Sequence, residues 1–350
     1  MEKVPVYWKT TLKDVEETLQ FVKKGKVSHA ATSAGGRPIY MVEYGVSNLP
    51  KGTANLSSAL GAADPSCYAN KSGADYNPTV FLVGCVHGGE FEGTCAILNL
   101  MKLLETGTDY AGNPNEELVE LCEKTHLILI PLANPDGRRR DPDISVGGRT
   151  MEQMRYYDQG TWKDGSLADW PDCKKVHPIK DHVEHLGSYF DDDGVNMMHE
   201  NFFGKVSTGT RLILDICASE APDFSILLHG GTGCINHMLS PAYACLNTKQ
   251  EIVQLDVAVE KACLQANVRH RAQPLVDSEK NEIPPSFNLI SAMHHCCGAP
   301  AVTYESNQAP DGEDVARLGG VSYSYEEIYK AHCILFGETM RYYLKKFHKV

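Results

Sequence analysis

The first apolar pattern in the chain is helical. Between residues 11 and 24 (TLKDVEETLQFVKK), Leu12, Val15, Leu19 and Val22 recur at three- and four-residue spacing before Gly25, which predicts an amphipathic helix. The period then changes: VSHAAT (27–32) and PIYMVEYG (38–45) flank the turn-forming Ala34-Gly35-Gly36 and predict a hairpin. Residues 47–78, rich in Ser, Ala, Gly, Asn and Pro, predict a long surface excursion. TVFLVGCV (79–86), HLILIPLAN (126–134), FSILLH (224–229) and PAVTYE (300–305) are apolar almost throughout, as strands covered on both faces of a parallel sheet are. Helices are expected at about 91–105, 117–124, 209–219, 246–266, 288–296 and 324–346.

This alternation predicts an α/β fold, a single domain over 1–350 with a mixed, mainly parallel sheet flanked by helices. The stretch from Asp136 to Gly194 breaks the alternation and is crowded with Gly, Asp, Arg, Pro and Trp. Its clusters RYYDQGTW, WPDC and GSYF predict an ordered lid, inserted at about 138–193, with Asp191 to Asp193 as a solvated turn before Gly194.

Composition narrows the class. A 42% hydrophobic and 22% charged sequence of 350 residues can bury a large core, which excludes disordered and fibrous readings. The net charge of −12 repels phosphate backbones and anionic bilayers, so no nucleic acid and no membrane is expected as a partner. The N-terminal MEKVPVYWKT lacks the apolar core of a signal peptide, and no stretch reaches the ~18 apolar residues of a membrane helix, so a cytoplasmic location is expected. The twelve cysteines show no Cys-x-x-Cys spacing and are expected as buried free thiols of a reducing compartment. Oligomeric state stays open.

Candidate chemistry sits where buried strands end, the usual place for sites in open α/β sheets. His87 and Glu90 stand three residues apart in CVHGGE, where the backbone turns from strand into helix. His229 ends FSILLH and precedes Gly230-Gly231. Two histidines and a glutamate leave a fourth tetrahedral position open on a catalytic zinc ion. Glu305, at the end of the last strand, is a carboxylate that can take a proton from water. Each residue alone has a plainer reading, such as a helix-start carboxylate, a hydrogen-bonded core histidine or an ion-paired glutamate. Their ordered occurrence at three strand ends is the specific signal. His294-His295 are not taken as ligands, because adjacent residues on a helix diverge by about 100°, and the insertion's Cys173, His177, His182 and His185 lack ligand-like spacing and are read as a polar lid.

These motifs resemble the zinc carboxypeptidase family, the carboxypeptidase A-like metallopeptidases. The resemblance runs through most of the sequence: VSHAATSAGGRPIYMVEYG, HGGEFEG, NPDG (134–137), DDGVNMMHENFF (191–202), LLHGG and TYES. It implies one zinc ion on His87, Glu90 and His229, with Glu305 as general base and an amide bond of a peptide-like substrate as the target. It also implies an arginine beyond NPDG for the developing oxyanion, for which Arg149 is chosen over Arg138, Arg139, Arg140 and Arg155. Asn196 and His199 fall in the segment that binds substrate. Met198-His199 stands where the family carries an Asn-Arg carboxylate clamp, and a histidine is a single, pH-dependent donor where arginine is bidentate and always charged. Residues 277–298 contain no tyrosine to reach over the substrate. Two alternatives stand beside this reading: a deacylase of small N-acyl amino acids, resembling succinylglutamate desuccinylase and aspartoacylase, and a catalytically silent zinc-binding interaction protein.

Overall fold

The computed structural model describes residues 3–50, 52–141, 149–231, 233–275, 283–309, 312–317 and 319–348. In sequence order the strands are β1 (Lys26–Thr32), β2 (Pro38–Tyr44), β3 (Thr79–Gly84), β4 (His126–Ile130), β5 (Gly160–Trp162), β6 (Val183–Leu186), β7 (Phe224–Gly231), β8 (His237–Leu239) and β9 (Ala301–Asn307). Seven form one sheet in the order β1-β2-β4-β3-β7-β9-β8, and β5 pairs with β6 in a separate ribbon. The four central strands run parallel and both edges are antiparallel. This is the mixed, mainly parallel sheet expected from the apolar runs.

The runs are apolar on both faces because both faces are covered. In β3, Val80 and Leu82 join one core while Phe81 and Val83 join the other, and β4 splits Leu127 and Leu129 from Ile128 and Ile130 in the same way. Helices α1 (Leu12–Leu19), α2 (Leu56–Gly61), α3 (Glu92–Thr106), α4 (Glu116–Glu123), α5 (Pro135–Arg140) and α6 (Met151–Asp158) precede the second half of the sheet. They are followed by α7 (Thr208–Glu220), α8 (Leu246–Gln265), α9 (Leu289–Cys297), α10 (Gly312–Arg317) and α11 (Tyr325–Lys346). Buried residues of α3, α4, α8 and α11 fill the first core, and those of α7 and α9 the second. Among the described residues no helix is long and apolar enough to cross a membrane. The twelve cysteines are unpaired.

Two boundaries differ from the sequence expectation for local reasons. The first helix stops at Leu19 because the backbone N–H groups of Lys23, Lys24 and Gly25 donate to the Glu105 carboxylate of α3 instead of continuing the helical ladder. β3 stops at Gly84 because Cys85 takes a left-handed φ of 54°, an uncommon conformation outside glycine. That bend swings the following residues out of the sheet.

Residues 138–193 contain the end of α5, all of α6, the β5–β6 ribbon and a small core of Ala168, Cys173, Ile179, Val183 and Phe190. Of the solvated turn expected at 191–193, the turn at 192–193 is present and Asp193 is exposed, but Asp191 and Asp192 are drawn into the protein. Asp191 is buried and accepts from the backbone of Asp193 and Val195, and burial pushes its carboxyl up to about 6. Asp192 pairs with Arg37 at 2.8 Å and with Arg140. Hydrophobic patterning does not reveal this, because Asp191 and Asp192 serve as acceptors in the insertion's base.

Asp136 of NPDG is the hub of that base. It is buried and accepts from Ser33 Oγ at 2.6 Å, Gly35 N at 2.8 Å, Arg37 Nη1 at 2.6 Å and Asp192 N at 3.2 Å. Burial works to raise its carboxyl, but the donors from Ser33, Gly35 and Arg37 hold it below the usual range. A depressed carboxylate contributes stability that is complete above the unfolded value near ~3.9 and is lost as pH falls through the lower folded value. Asp136→Asn is expected to cost about 2 kcal/mol in denaturant unfolding at pH 7, because it removes the buried charge that gathers donors from Ser33, Gly35 and Arg37 and leaves Arg37 only Asp192, and to flatten the acid limb of stability against pH. An unchanged acid limb would take Asp136 out of that role.

Candidate metal centre

His87 and Glu90 occupy the turn between β3 and α3, which the extension of β4 pins through Ala133 N to Gly84 O and Asn134 N to Cys85 O. The glycines between them are required by contact. A Cβ on Gly88 would lie 2.1 Å from the backbone carbon of Gly137, and one on Gly89 would lie 1.9 Å from Asp158 Oδ1. His229 comes from β7, and the parallel register sets it opposite Glu305 on β9. Three strand ends therefore deliver the groups to one place.

The geometry converges on the Glu90 carboxylate. His87 Nδ1 lies 2.9 Å from Glu90 Oε1 and His229 Nδ1 lies 2.6 Å from Oε2, with all three side chains buried. Their ligand atoms lie within 4.8 Å of one another, the one such group of His, Cys, Asp and Glu among the described residues.

The hydrogen bonds around the cluster test whether a cation fits. Met198 N donates to Asn196 Oδ1 at 3.0 Å, which identifies that atom as the oxygen, and the same oxygen lies 3.1 Å from His87 Nε2. His87 Nε2 must then carry the proton, so a neutral ring turns its Nδ1 lone pair toward an anionic carboxylate. Burial favours that neutral form of His87. Two imidazole nitrogens facing one buried carboxylate make a donor set suited to zinc.

A cleft of about 480 Å³ opens beside the cluster, lined by residues including Arg155, Asp158, Trp170, Tyr189, Glu305 and Gln308. Burial pushes the Glu305 carboxyl up to about 7, against the pull of His229, which suits a base working near neutral pH. Asp158 is raised well above the usual carboxylate range by burial, with Asp141 and Glu90 adding to it. The Tyr189 ring lies flat on His87, with centroids 3.6 Å apart and planes at 13°. Tyr189 belongs to the GSYF cluster of the insertion, whose sequence does not single it out as the residue that meets His87.

A zinc carboxypeptidase family model matches residues 18–273. The chain belongs to the zinc carboxypeptidase family. No curated protein matches it. Solved structures similar in fold include a metallo-carboxypeptidase from Burkholderia cenocepacia, at 13% identity and a TM-score of 0.58, covering 96% of this chain and 69% of that one. A carboxypeptidase from Burkholderia mallei is similar at 14% identity and 0.57, covering 95% of this chain and 67% of that one. Carboxypeptidase A from Helicoverpa armigera aligns at 14% and 0.52, covering 97% and 75%. The family is zinc-dependent and hydrolytic, and the His-Glu-His cluster lies inside the matched region.

The remaining sequence expectations of this zinc carboxypeptidase family member fall in different places. Arg149 is buried, makes a bidentate pair with Asp141 at 3.1 and 2.6 Å, and lies over the Tyr157 ring at 4.6 Å, outside the residues lining the cleft. Arg155 does line the cleft, 3.2 Å from Asp169. Asn196 stands behind His87 rather than in the cleft lining. His199 is driven down to about 3 by burial, then by Lys174 and His87, and its Nδ1 lies 3.4 Å from Ser286 Oγ. His294 bonds Ala299 O at 2.8 Å and is not part of the cluster. Cys173 packs in the insertion's core, and His177 Nε2 accepts from Asn196 N at 3.0 Å.

Proposed function

We propose that this protein cleaves an amide bond in a peptide, with one zinc ion held by His87, Glu90 and His229 and Glu305 acting on the reacting water. The observation that carries this reading is the convergence of the two Nδ1 atoms on Glu90, with Glu305 in register beside His229 at the wall of the cleft. Bound zinc supplies Lewis-acid chemistry, polarising a carbonyl and making water acidic near neutral pH. Glu305 takes the proton of the attacking water and passes it to the departing amine nitrogen. Asn196 fixes the tautomer of His87, and the flat Tyr189 ring fixes its plane.

Arg155 is the arginine we assign to the developing oxyanion, in place of Arg149, whose fork is filled by Asp141. The insertion then acts as a lid, since α6, Trp170 and Tyr189 form one wall of the cleft.

The test is zinc content of the purified protein followed by turnover on a panel of peptides with free and amidated C-termini and of N-acyl amino acids. About one zinc per molecule with peptide cleavage is expected. Cleavage of acyl amino acids alone would turn the assignment to a deacylase, and zinc without turnover on either would favour a silent binding protein.

A further inference from the structure

The cleft needs a cation for an anionic substrate, and the position where the family carries an Asn-Arg pair holds buried Met198 and a neutral His199. The arginines around the cleft are engaged. Arg37, Arg140 and Arg149 each hold a carboxylate, and Arg155, 3.2 Å from Asp169, is the residue assigned to the oxyanion, while buried Arg138 donates to Thr10 O and to Asp141 O and lies over the Phe91 ring.

The insertion supplies a different cation. The single turn Asp172–Lys175 is rooted by Cys173, which is buried in the insertion's own core. Lys175 takes up the acid of that turn, pairing with Asp172 at 2.9 Å. Lys174 has no carboxylate at salt-bridge distance among the described residues. Its Nζ lies 4.7 Å from the centroid of Trp170, a ring that lines the cleft, so this cation–π contact ties the ammonium to a cleft-lining side chain, although Lys174 itself is not among the lining residues. Glu90 and Glu305 both act on its charge, and Lys174 in turn acts on His199 and His229, so it lies within electrostatic reach of the metal cluster.

We propose that Lys174 is the specificity-determining residue that binds a carboxylate of the substrate, whether the α-carboxylate of the terminal residue or an acidic group on its side chain. The proposal deepens the peptidase reading and rests on it for the identity of the substrate. An ammonium held on an aromatic face keeps its hydrogens available to a ligand. It is also a point charge, so it accepts either carboxylate with less geometric demand than an arginine fork.

The experiment compares zinc-loaded wild type, Lys174→Gln and Lys174→Arg on benzoyl-Gly-Phe, its C-terminal amide and benzoyl-Gly-Glu amide. Lys174→Gln is expected to raise KM at least tenfold for the substrate carrying the recognised carboxylate, with kcat within twofold and the KM of benzoyl-Gly-Phe amide unchanged. Lys174→Arg is expected to recover most of the loss. A shift confined to benzoyl-Gly-Phe assigns the terminal α-carboxylate, and one confined to benzoyl-Gly-Glu amide assigns the acidic side chain. Equal shifts for acid and amide, or none, overturn the proposal. Calorimetric binding of benzoyl-Gly-Phe, its amide and benzoyl-Gly-Glu amide to Glu305→Gln, with and without Lys174→Gln, separates the two readings. If wild type cleaves no peptide, the peptidase assignment falls. Lys174 is then judged on whether carboxylate affinity depends on it.

Discussion

Glu305→Gln is expected to keep close to one zinc per molecule and to lower kcat by about a thousandfold, the usual scale for removing a positioned proton acceptor. The amide is nearly isosteric with the carboxylate, so the β9 backbone and its pairing with β7 have no reason to change. What it cannot do is accept the proton of the attacking water. The retained zinc makes the test decisive, because a fall in turnover with full metal occupancy assigns the loss to chemistry and not to an emptied site. Turnover within a few-fold of wild type would remove Glu305 from the mechanism, and Asp158, another carboxyl lining the cleft, would be next to examine.

The parts of this molecule that were legible in its sequence are those governed by local pattern. β3, β4, β7 and β9 are continuous apolar runs, and their parallel pairing carries residues at their C-terminal ends to one edge of the sheet. A His-x-x-Glu pair at one end, a histidine near another and a glutamate near a third were therefore readable as one place before any distance was known. The glycine pair in HGGE was readable as a turn, although its cause is contact: Gly88 is pressed on Gly137 and Gly89 on Asp158.

The insertion was not legible in this way. Its core joins Ala168, Cys173, Ile179, Val183 and Phe190 without helical or strand periodicity, so no window of sequence announces it. Arg149 lies at a suitable distance beyond NPDG, but distance along the sequence says nothing about which carboxylate an arginine meets. Here Asp141, eight positions earlier, takes both arms of its fork. Tyr189 lies on the ring of His87 from 102 positions away, a relation that exists only once the insertion folds back over the sheet. Lys174 depends on the same fold-back.

His229→Ala is expected to remove the metal altogether, leaving well under a tenth of an equivalent after dialysis, and with it all turnover. Asn196→Ala makes the graded comparison. Asn196 touches no carboxylate of the cluster and acts through His87 Nε2, so its loss is expected to weaken zinc binding by about 10- to 100-fold without abolishing it. The two variants separate a ligand from a residue that only orients one. Removing a merely structural histidine from β7 would disturb folding and leave zinc uptake of the folded fraction intact, so zinc per folded molecule is the quantity to measure. Full occupancy in His229→Ala would hand the third position to another group. Equal loss in both variants would mean that the tautomer of His87, and not the number of ligands, limits the affinity of the centre.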